Sequence, residues 1–280
     1  MTTRRDLVLS LGAAAAATAL PRSLVAAAPR ALGGVGVQLY TLRQEMRADP
    51  ERTIARIAEI GYQEIEWWGS WGRTPAQLRA LLDQHRLTSP SWHLDPRQLE
   101  PDQLRATLET AQTMGHKHLI VAWISPNERS AEKYRSVATR LNEAGRAGRA
   151  LGIKAGYHNH DFEFTVRVGD ESLWQFLLRE TDPSVVDIEL DCYWAFRAGH
   201  DPIALLRTHR DRITHLHIKD SGPAPEYQMR DVGAGVIDWR AVITTGGANR
   251  VQHAFVEHDS PADAWATVSA GRRHLRTLGY

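Results

Sequence analysis

Hydrophobic and polar positions along the chain alternate between two periods. Short apolar runs of strand length are separated by longer segments with helical spacing, and no long low-complexity linker interrupts them. Eight such units can be counted, which predicts a regular alternation of strands and helices. The predicted strands cover residues 35–40, 63–67, 88–93, 118–123, 153–158, 185–190, 213–218 and 252–257.

Proline and glycine mark the predicted ends of the helices. Proline is tolerated in the first helical turn, where its missing N–H has no partner to lose, and glycine favours the left-handed cap at a helix end. A strict β/α alternation predicts a parallel sheet, and eight units favour closure into a single-domain (β/α)8 TIM barrel. The alternative, an open doubly wound sheet, lacks its usual Gly-rich turn, because Tyr40 runs straight into Thr41. Predicted helix starts lie at Pro50, Pro75, Pro101, Pro202 and Pro261, and predicted helix ends at Gly61, Gly115 and Gly152.

The first 28 residues read as an export signal rather than as part of the fold. Arg4 and Arg5 precede an apolar, Ala-rich run that ends at Leu20 and is too short to anchor a mature protein in a bilayer. Small residues before Ala28 suit a signal peptidase. The sequence therefore predicts a twin-arginine (Tat) signal peptide over 1–28, use of the Tat export machinery, a periplasmic or otherwise exported location, and a barrel domain over 29–280.

Charge and cysteine content exclude several classes. The 34 basic and 33 acidic residues nearly balance and form no basic stripe, which argues against a nucleic-acid partner. The single cysteine, Cys192, rules out an internal disulfide framework and is read as a small buried residue rather than as a nucleophile. The number of subunits stays open, a homo-oligomer included.

Polar side chains crowd the predicted strand ends, where the active sites of (β/α)8 barrels lie. Imidazole and carboxylate groups on neighbouring strands suit a divalent ion such as Mn²⁺, Zn²⁺, Co²⁺ or Fe²⁺. Any one of them alone reads as an ordinary buried polar residue. Together they would leave unpaired charge at the barrel mouth unless a cation lay between them. The predicted ligands of one divalent metal ion are His158, Asp191, His217 and Glu257.

Five segments resemble the xylose isomerase-like superfamily of sugar phosphate isomerases and epimerases. They are residues 36–43 (GVQLYTLR), 157–164 (YHNHDFEF), 190–195 (LDCYWA), 215–220 (HLHIKD) and 233–239 (GAGVIDW). The resemblance implies one metal held at the ends of the fifth to eighth strands, at the four positions already named. Two departures stand out. Many epimerases of the family have Glu where this chain has His158, and their Gly-Glu-Gly loop is here Gly-Ala-Gly, residues 233–235.

The chemistry that the resemblance implies is proton abstraction next to a carbonyl, with the metal stabilising the enediolate. Glu257, His158 and His160 are the predicted catalytic groups, and His158 is left open between ligand and acid/base. Because His158 replaces one of two opposed glutamates, simple epimerisation is in doubt. Elimination on a keto-sugar, keto-glycoside or cyclitol is the alternative.

Substrate contacts are predicted from the same strand ends. Aromatic faces stack on the C–H surfaces of sugars, and Trp68 and Trp194 are placed at the mouth. Lys219 is read as a contact to a hydroxyl or an anion, or alternatively as the partner of Glu189 or Asp220. The remaining predicted substrate-binding residues are His93, Glu66 and Glu163.

Three functions remain open at this point. The first is a metal-dependent sugar isomerase or epimerase, with a lyase or hydratase as runner-up, acting on a small carbohydrate. The second is a non-catalytic sugar-binding protein that keeps its metal. The third, a phosphodiesterase or abasic-site nuclease on the same barrel, would require further metal ligands and a basic face that the sequence does not offer.

Overall fold

The computed structural model describes residues 34–280, so the predicted signal peptide lies outside the described residues. Eight parallel strands form one sheet, and each predicted strand is confirmed with shifts of at most three residues at its ends. The strands are β1 Gly34–Gln38, β2 Glu64–Glu66, β3 Ser91–Leu94, β4 His118–Val121, β5 Lys154–His158, β6 Val186–Asp191, β7 Ile213–Ile218 and β8 His253–Val256.

The sheet closes on itself as a barrel. Its order is β2-β1-β8-β7-β6-β5-β4-β3, and two isolated parallel bridges, Glu64 to Thr88 and Trp67 to Trp92, join the remaining edges. Side chains alternate between the barrel interior and the surrounding helices because the side-chain period of a strand is two. The single-domain (β/α)8 prediction is confirmed.

Helices cover the outside of the barrel and pack their apolar faces on the strands. Leu39–Leu42, Pro96–Leu99, Pro126–Glu128 and Arg149–Leu151 are short 3-10 turns. Among residues 34–280, no helix is long and apolar enough to cross a membrane. The α-helices are Arg43–Ala48, Pro50–Ile60, Pro75–Gln84, Leu104–Met114, Ala131–Gly148, Phe162–Thr165, Leu173–Glu180, Cys192–Arg197, Pro202–Thr208, Trp239–Ala248 and Ala264–Thr277.

Most predicted helix ends are confirmed, and two starts were wrong. Pro50, Pro75 and Pro202 each occupy the first helical turn, and the three predicted glycine caps have positive φ angles. Pro101 instead lies in a turn before the helix at Leu104. Pro261 precedes a helix that begins at Ala264, where the Asp263 carboxylate accepts a hydrogen bond from Ala266 N–H and so provides the cap.

Candidate metal centre and active site

Four ligand-type side chains meet at the carboxyl ends of β5 to β8. His158, Asp191 and His217 lie on β5, β6 and β7, and Glu257 follows β8 by one residue. All four are at least 95% buried. Asp191 Oδ2 lies 3.7 Å from His158 Nε2 and 3.9 Å from His217 Nδ1, and the same Nδ1 lies 2.6 Å from Glu257 Oε2. The structure therefore brings ligand atoms of Asp191, His217 and Glu257 within 4.8 Å of one another, with His158 Nε2 beside Asp191.

Two glutamates deeper in the barrel hold the imidazoles in this orientation. His158 donates its Nδ1–H to Glu189 Oε2 at 3.0 Å, which leaves His158 Nε2 on the side of Asp191. His217 donates its Nε2–H to Glu66 Oε2, which leaves Nδ1 on the side of Asp191 and Glu257. A carboxylate behind a histidine fixes the tautomer that binds a metal and raises the basicity of the ligand nitrogen.

The sequence analysis did not place Glu189 in the site, although its position two residues before Asp191 indicated that it points inward. Glu189 Oε2 lies 2.6 Å from His93 Nε2 and 3.1 Å from His217 Nε2. Those imidazoles come from β3 and β7, far away in the sequence. No local pattern could have brought them together.

His93 and Glu66 were predicted as substrate contacts, and the structure places them mainly in this supporting layer. Glu66 is fully buried and does not line the cavity. It accepts hydrogen bonds from Ser91 Oγ at 2.6 Å and Gln38 Nε2 at 2.8 Å. Burial alone would raise the pKa of Glu66, but the nearby His93 and His217 hold it well below its usual value. His93 Nε2 lies between Glu66 and Glu189, and its ring also reaches the cavity.

The donor set fits a divalent cation. Four carboxylates, Glu66, Glu189, Asp191 and Glu257, are buried beside one permanent cation, Lys219. Asp191 Oδ2 is a buried atom that accepts no hydrogen bond. Burial raises the pKa of Asp191 to about 6, although Lys219 opposes that shift. Lys219 Nζ lies 3.0 Å from Asp191 Oδ2, but four buried carboxylates beside one permanent cation are unfavourable unless a further cation compensates them. Imidazole nitrogens with carboxylate oxygens suit Zn²⁺, Mn²⁺, Co²⁺ or Fe²⁺.

Two of the imidazoles at the site, His158 and His160, are suited to a neutral state. Burial lowers the pKa of His158 well below its ordinary value, and nearby His217 lowers it further. The same cause, burial, lowers the pKa of His160. A neutral imidazole can act either as a ligand or as a general base. The geometry favours ligation for His158, because its Nδ1 is already used by Glu189.

A cavity of about 970 Å³ opens above the four side chains. Of the predicted site residues, those that line it are His93, His158, His160, Trp68, Trp194, Lys219 and Glu257.

Lys219 is buried, and its Nζ lies 2.7 Å from Glu257 Oε2, 3.0 Å from Asp191 Oδ2 and 2.8 Å from Asp259 Oδ1. Its predicted alternative partners, Glu189 and Asp220, are not its partners here. Burial would lower the pKa of Lys219, but Asp191, Asp259 and Glu257 raise it well above its usual value, so the amine stays protonated.

His160 lies on the cavity wall among aromatic rings. Its ring centroid is 4.9 Å from that of Trp123, 5.2 Å from that of Trp194 and 5.4 Å from that of Phe162. Its Nδ1 has no hydrogen-bond partner. Lys219 Nζ lies 5.9 Å from the ring centroid of the same Trp194. The His160 imidazole and the Lys219 ammonium group therefore both lie near one indole beside the cluster.

Glu163 was predicted as a substrate contact at the mouth, and the structure places it elsewhere. The short helix Phe162–Thr165 turns its side chain under the loop, where it is fully buried. Its carboxylate accepts hydrogen bonds from Tyr134 and Tyr157 hydroxyls, at 2.6 and 2.7 Å, and from His160 N–H at 2.7 Å. Burial raises its pKa to about 7. Glu163 thus holds the loop that carries His160.

The Gly-Ala-Gly loop is built on Asp220. The Asp220 carboxylate accepts hydrogen bonds from four backbone N–H groups, those of Ser221, Gly233, Gly235 and Ile237. A Cβ at position 235 would lie 2.2 Å from Asp220 Oδ1, and one at position 233 would lie 2.3 Å from a ring atom of His274. Glycine is therefore required on both sides of Ala234.

The sequence profile of a family described as the xylose isomerase-like TIM barrel matches residues 54–274. Among curated relatives, an inosose dehydratase of Geobacillus kaustophilus is 28% identical over 192 residues, which cover 61% of each chain. The chain thus spans about three fifths of the length of that relative.

Solved structures share the fold. A sugar phosphate isomerase/epimerase of Parabacteroides distasonis superposes with a TM-score of 0.72 at 24% identity, covering 87% of this chain and 98% of that one. The IOLI protein, solved with a bound zinc atom, superposes with a TM-score of 0.66 at 14% identity, covering 88% and 97%. At these identities the likeness shows the fold alone.

Proposed function

The chain belongs to the xylose isomerase-like TIM barrel family, and from that premise we propose that it is a metal-dependent lyase that removes water or an alcohol from a small polyhydroxylated ketone. The observation that carries the proposal is the pairing of His160 and Lys219 beside the buried cluster. The two groups differ in kind: His160 is an imidazole with a pKa lowered by burial and a buried Nδ1 that has no hydrogen-bond partner, and Lys219 is a buried ammonium.

Elimination requires two groups with different tasks. A base removes a proton from the carbon next to the carbonyl, a C=C bond forms, the C–O bond to the neighbouring leaving group breaks, and an acid protonates the departing oxygen. His160 is assigned as the base and Lys219 as the acid. Glu257, predicted as ligand and base, is assigned to the metal because its carboxylate belongs to the same group of potential ligands as Asp191 and His217.

The metal is assigned to His158, Asp191, His217 and Glu257. A divalent ion held there would polarise the carbonyl oxygen of the substrate and so acidify the adjacent C–H. Epimerisation requires a second proton-transfer group on the opposite face of the same carbon, and the residue that many epimerases use there is replaced by His158. The curated relative named inosose dehydratase supports elimination on a keto-cyclitol.

Product analysis with inosose, a keto-inositol, tests the proposal. Protein loaded with Mn²⁺, Co²⁺ or Zn²⁺ is incubated with the ketone, and the product is followed by mass spectrometry and by NMR in deuterated water. We expect a product that has lost one water. A product of unchanged mass that has gained deuterium would establish the isomerase or epimerase prediction instead. Metal-dependent binding of unaltered ketone would establish the sugar-binding protein.

The assigned roles are tested by substitution. We expect His160→Gln and Lys219→Met each to lower kcat by about 10²- to 10⁴-fold, the usual contribution of a general acid or base. His200→Gln is the matched control, because His200 is exposed and contacts Phe164 rather than the cavity. Wild-type rates in His160→Gln would remove His160 from the mechanism.

Export in the folded state is part of the same proposal and rests on Arg4, Arg5 and the apolar run after them. Replacement of both arginines by lysine is expected to keep the precursor inside the cell. Cell fractionation with N-terminal sequencing of the mature protein measures this. Equal export of the double variant would contradict the twin-arginine route.

A further inference from the structure

The cavity is larger than a single sugar ring requires. Its volume is about 970 Å³, near the upper end of the roughly 300–1,000 Å³ that enclose drug-sized ligands. A monocyclic inosose or hexose is far smaller than such a ligand. One ring placed against Lys219 and Glu257 would leave the outer part of the cavity to water.

The outer part of the cavity has an aromatic wall. Trp123, two residues beyond β4, lines the cavity and is 48% exposed; among residues 34–280 one other large apolar side chain, Val236, is as exposed, and it does not line the cavity. Its ring packs edge-on against Phe162 at 5.5 Å between centroids. The Arg129 guanidinium lies 4.8 Å from the Trp123 centroid and 3.3 Å from that of Phe162, and it donates to Ile124 O at 3.1 Å. These contacts hold an exposed indole in place, which suits stacking on the face of a ring.

The wall carries one more carboxylate than permanent cations. Arg129, Arg197 and Lys219 line the cavity together with four carboxylates, Asp95, Asp161, Glu257 and Asp259. The Arg197 guanidinium lies 3.4 Å from Asp161 Oδ2, and Lys219 Nζ lies 2.8 Å from Asp259 Oδ1, whereas Arg129 donates to Ile124 O and forms no ion pair among residues 34–280. The excess of negative charge favours an uncharged group over a phosphorylated one.

We infer that the outer cavity is a subsite for a second, uncharged ring stacked on Trp123, so that the substrate class is a keto-glycoside rather than a free cyclitol. This inference rests on the proposed function for the chemistry at the inner ring. In a keto-glycoside with one carbon between the carbonyl carbon and the glycosidic carbon, the base removes the proton from that intervening carbon. A C=C bond then forms, the glycosidic C–O bond breaks, and the aglycone departs as an alcohol after protonation.

Binding of an unreactive probe tests the subsite without turnover. p-Nitrophenyl glucoside and methyl glucoside are titrated into the metal-loaded protein by calorimetry. We expect the aryl glycoside to bind at least about tenfold more tightly, as one well-placed apolar group allows. Trp123→Ala should abolish this difference. Trp265 is a half-buried indole on the last helix that stacks with Arg56, so Trp265→Ala should keep the difference in affinity. Equal affinity of the two glycosides for the wild type, or tighter binding of glucose 6-phosphate than of either, would overturn the inference.

Turnover separates this inference from the proposed function. A keto-glycoside with an aryl aglycone and an inosose are compared by kcat/KM in wild type and Trp123→Ala. We expect Trp123→Ala to raise KM for the keto-glycoside more than it raises KM for the inosose, because Trp123 also contacts the His160 ring and both substrates share the inner site. Turnover of inosose with no advantage for the glycoside would overturn the subsite and keep the lyase. Tighter binding of the aryl glycoside without turnover of any ketone would keep the subsite and overturn the lyase.

Discussion

At the scale of single residues, the site depends on the carboxylates behind the imidazoles. Glu189 and Glu66 each accept an N–H from a histidine, and each thereby turns the other ring nitrogen of that histidine toward Asp191. Their role is to position ligands, since neither lines the cavity.

Removal of either charge should weaken metal binding. We expect Glu189→Gln and Glu66→Gln to lower metal affinity about 10- to 100-fold, the usual effect of losing such a partner. Titration with Co²⁺, followed by its absorption spectrum, measures this affinity. Glu64→Gln is the matched control, because Glu64 lies on the same strand and face and pairs with His253 below the site, at 2.8 Å. Equal losses in all three variants would point to general destabilisation of the barrel instead.

The sequence could predict that His158, Asp191, His217 and Glu257 lie near one another because each stands at the end of a strand; their role as ligands stays a prediction. It could not predict the partners of Glu189, since period-two alternation gives the face of a residue but not its neighbours across the barrel. It also misplaced Glu163. A carboxylate five residues beyond His158 reads as a mouth residue, and only the buried hydroxyls of Tyr134 and Tyr157 show why it turns inward.

At the scale of elements, the loop after β7 depends on one carboxylate. Asp220 accepts hydrogen bonds from four backbone N–H groups, three of which belong to residues 233–237. Without it, several of these groups would lose their acceptor in a partly covered site.

We expect Asp220→Ala to lower the free energy of unfolding by about 2 kcal/mol, in the range for hydrogen bonds to a charged group, and to speed amide exchange at residues 233–237. Hydrogen exchange with mass spectrometry measures the local effect. Asp238→Ala is the control. It removes the carboxylate that caps the helix Trp239–Ala248 by accepting from Ala241 N–H, and it should leave the amides of residues 233–237 protected. Unchanged exchange in Asp220→Ala would contradict this role.

Helix starts were predictable where proline occupies the first turn, as at Pro50, Pro75 and Pro202. The rule failed at Pro101 and Pro261, because proline also suits the turn before a helix. At the last helix, the Asp263 carboxylate decides the start through its bond to Ala266 N–H. Local sequence propensity thus predicts that a helix is present and where it falls in the chain order, whereas the capping contact determines the residue at which the helix begins.

At the scale of the whole molecule, buried neutral imidazoles make the fold sensitive to acid. His116 is fully buried, and its Nδ1–H donates to Ser89 O at 2.8 Å. Burial lowers its pKa from 6.5 to about 4. Above pH 6.5 the group is neutral in both states. Between pH 6.5 and 4 the unfolded chain takes up a proton that the folded chain does not, so stability falls as pH falls.

We expect His116→Gln to flatten this loss. The lowering of the His116 pKa from 6.5 to about 4 corresponds to about 3 kcal/mol, so the variant should lose less stability than the wild type between pH 7 and pH 4.5. Urea unfolding at both pH values measures the difference, with both proteins treated with chelator so that metal release does not contribute. Parallel pH profiles of the two proteins would refute the assignment.

Strand order and closure followed from the eight-unit pattern, and the polar interior follows from the inward faces of the same strands. The buried carboxylates of that interior are compensated if a cation binds at the carboxyl ends of β5 to β8. The account therefore depends on a metal at His158, Asp191, His217 and Glu257 more than on any other feature.

Metal analysis by plasma mass spectrometry tests this claim most directly. We expect about one equivalent of a divalent ion in the wild type, with loss of the ion in Asp191→Ala and in Glu257→Ala. Asp187→Ala should keep it, because Asp187 lies on the same strand but pairs with His118 and Lys154 at the other end of the barrel. A wild-type protein that takes up no Mn²⁺, Co²⁺ or Zn²⁺ while remaining fully folded would contradict the account.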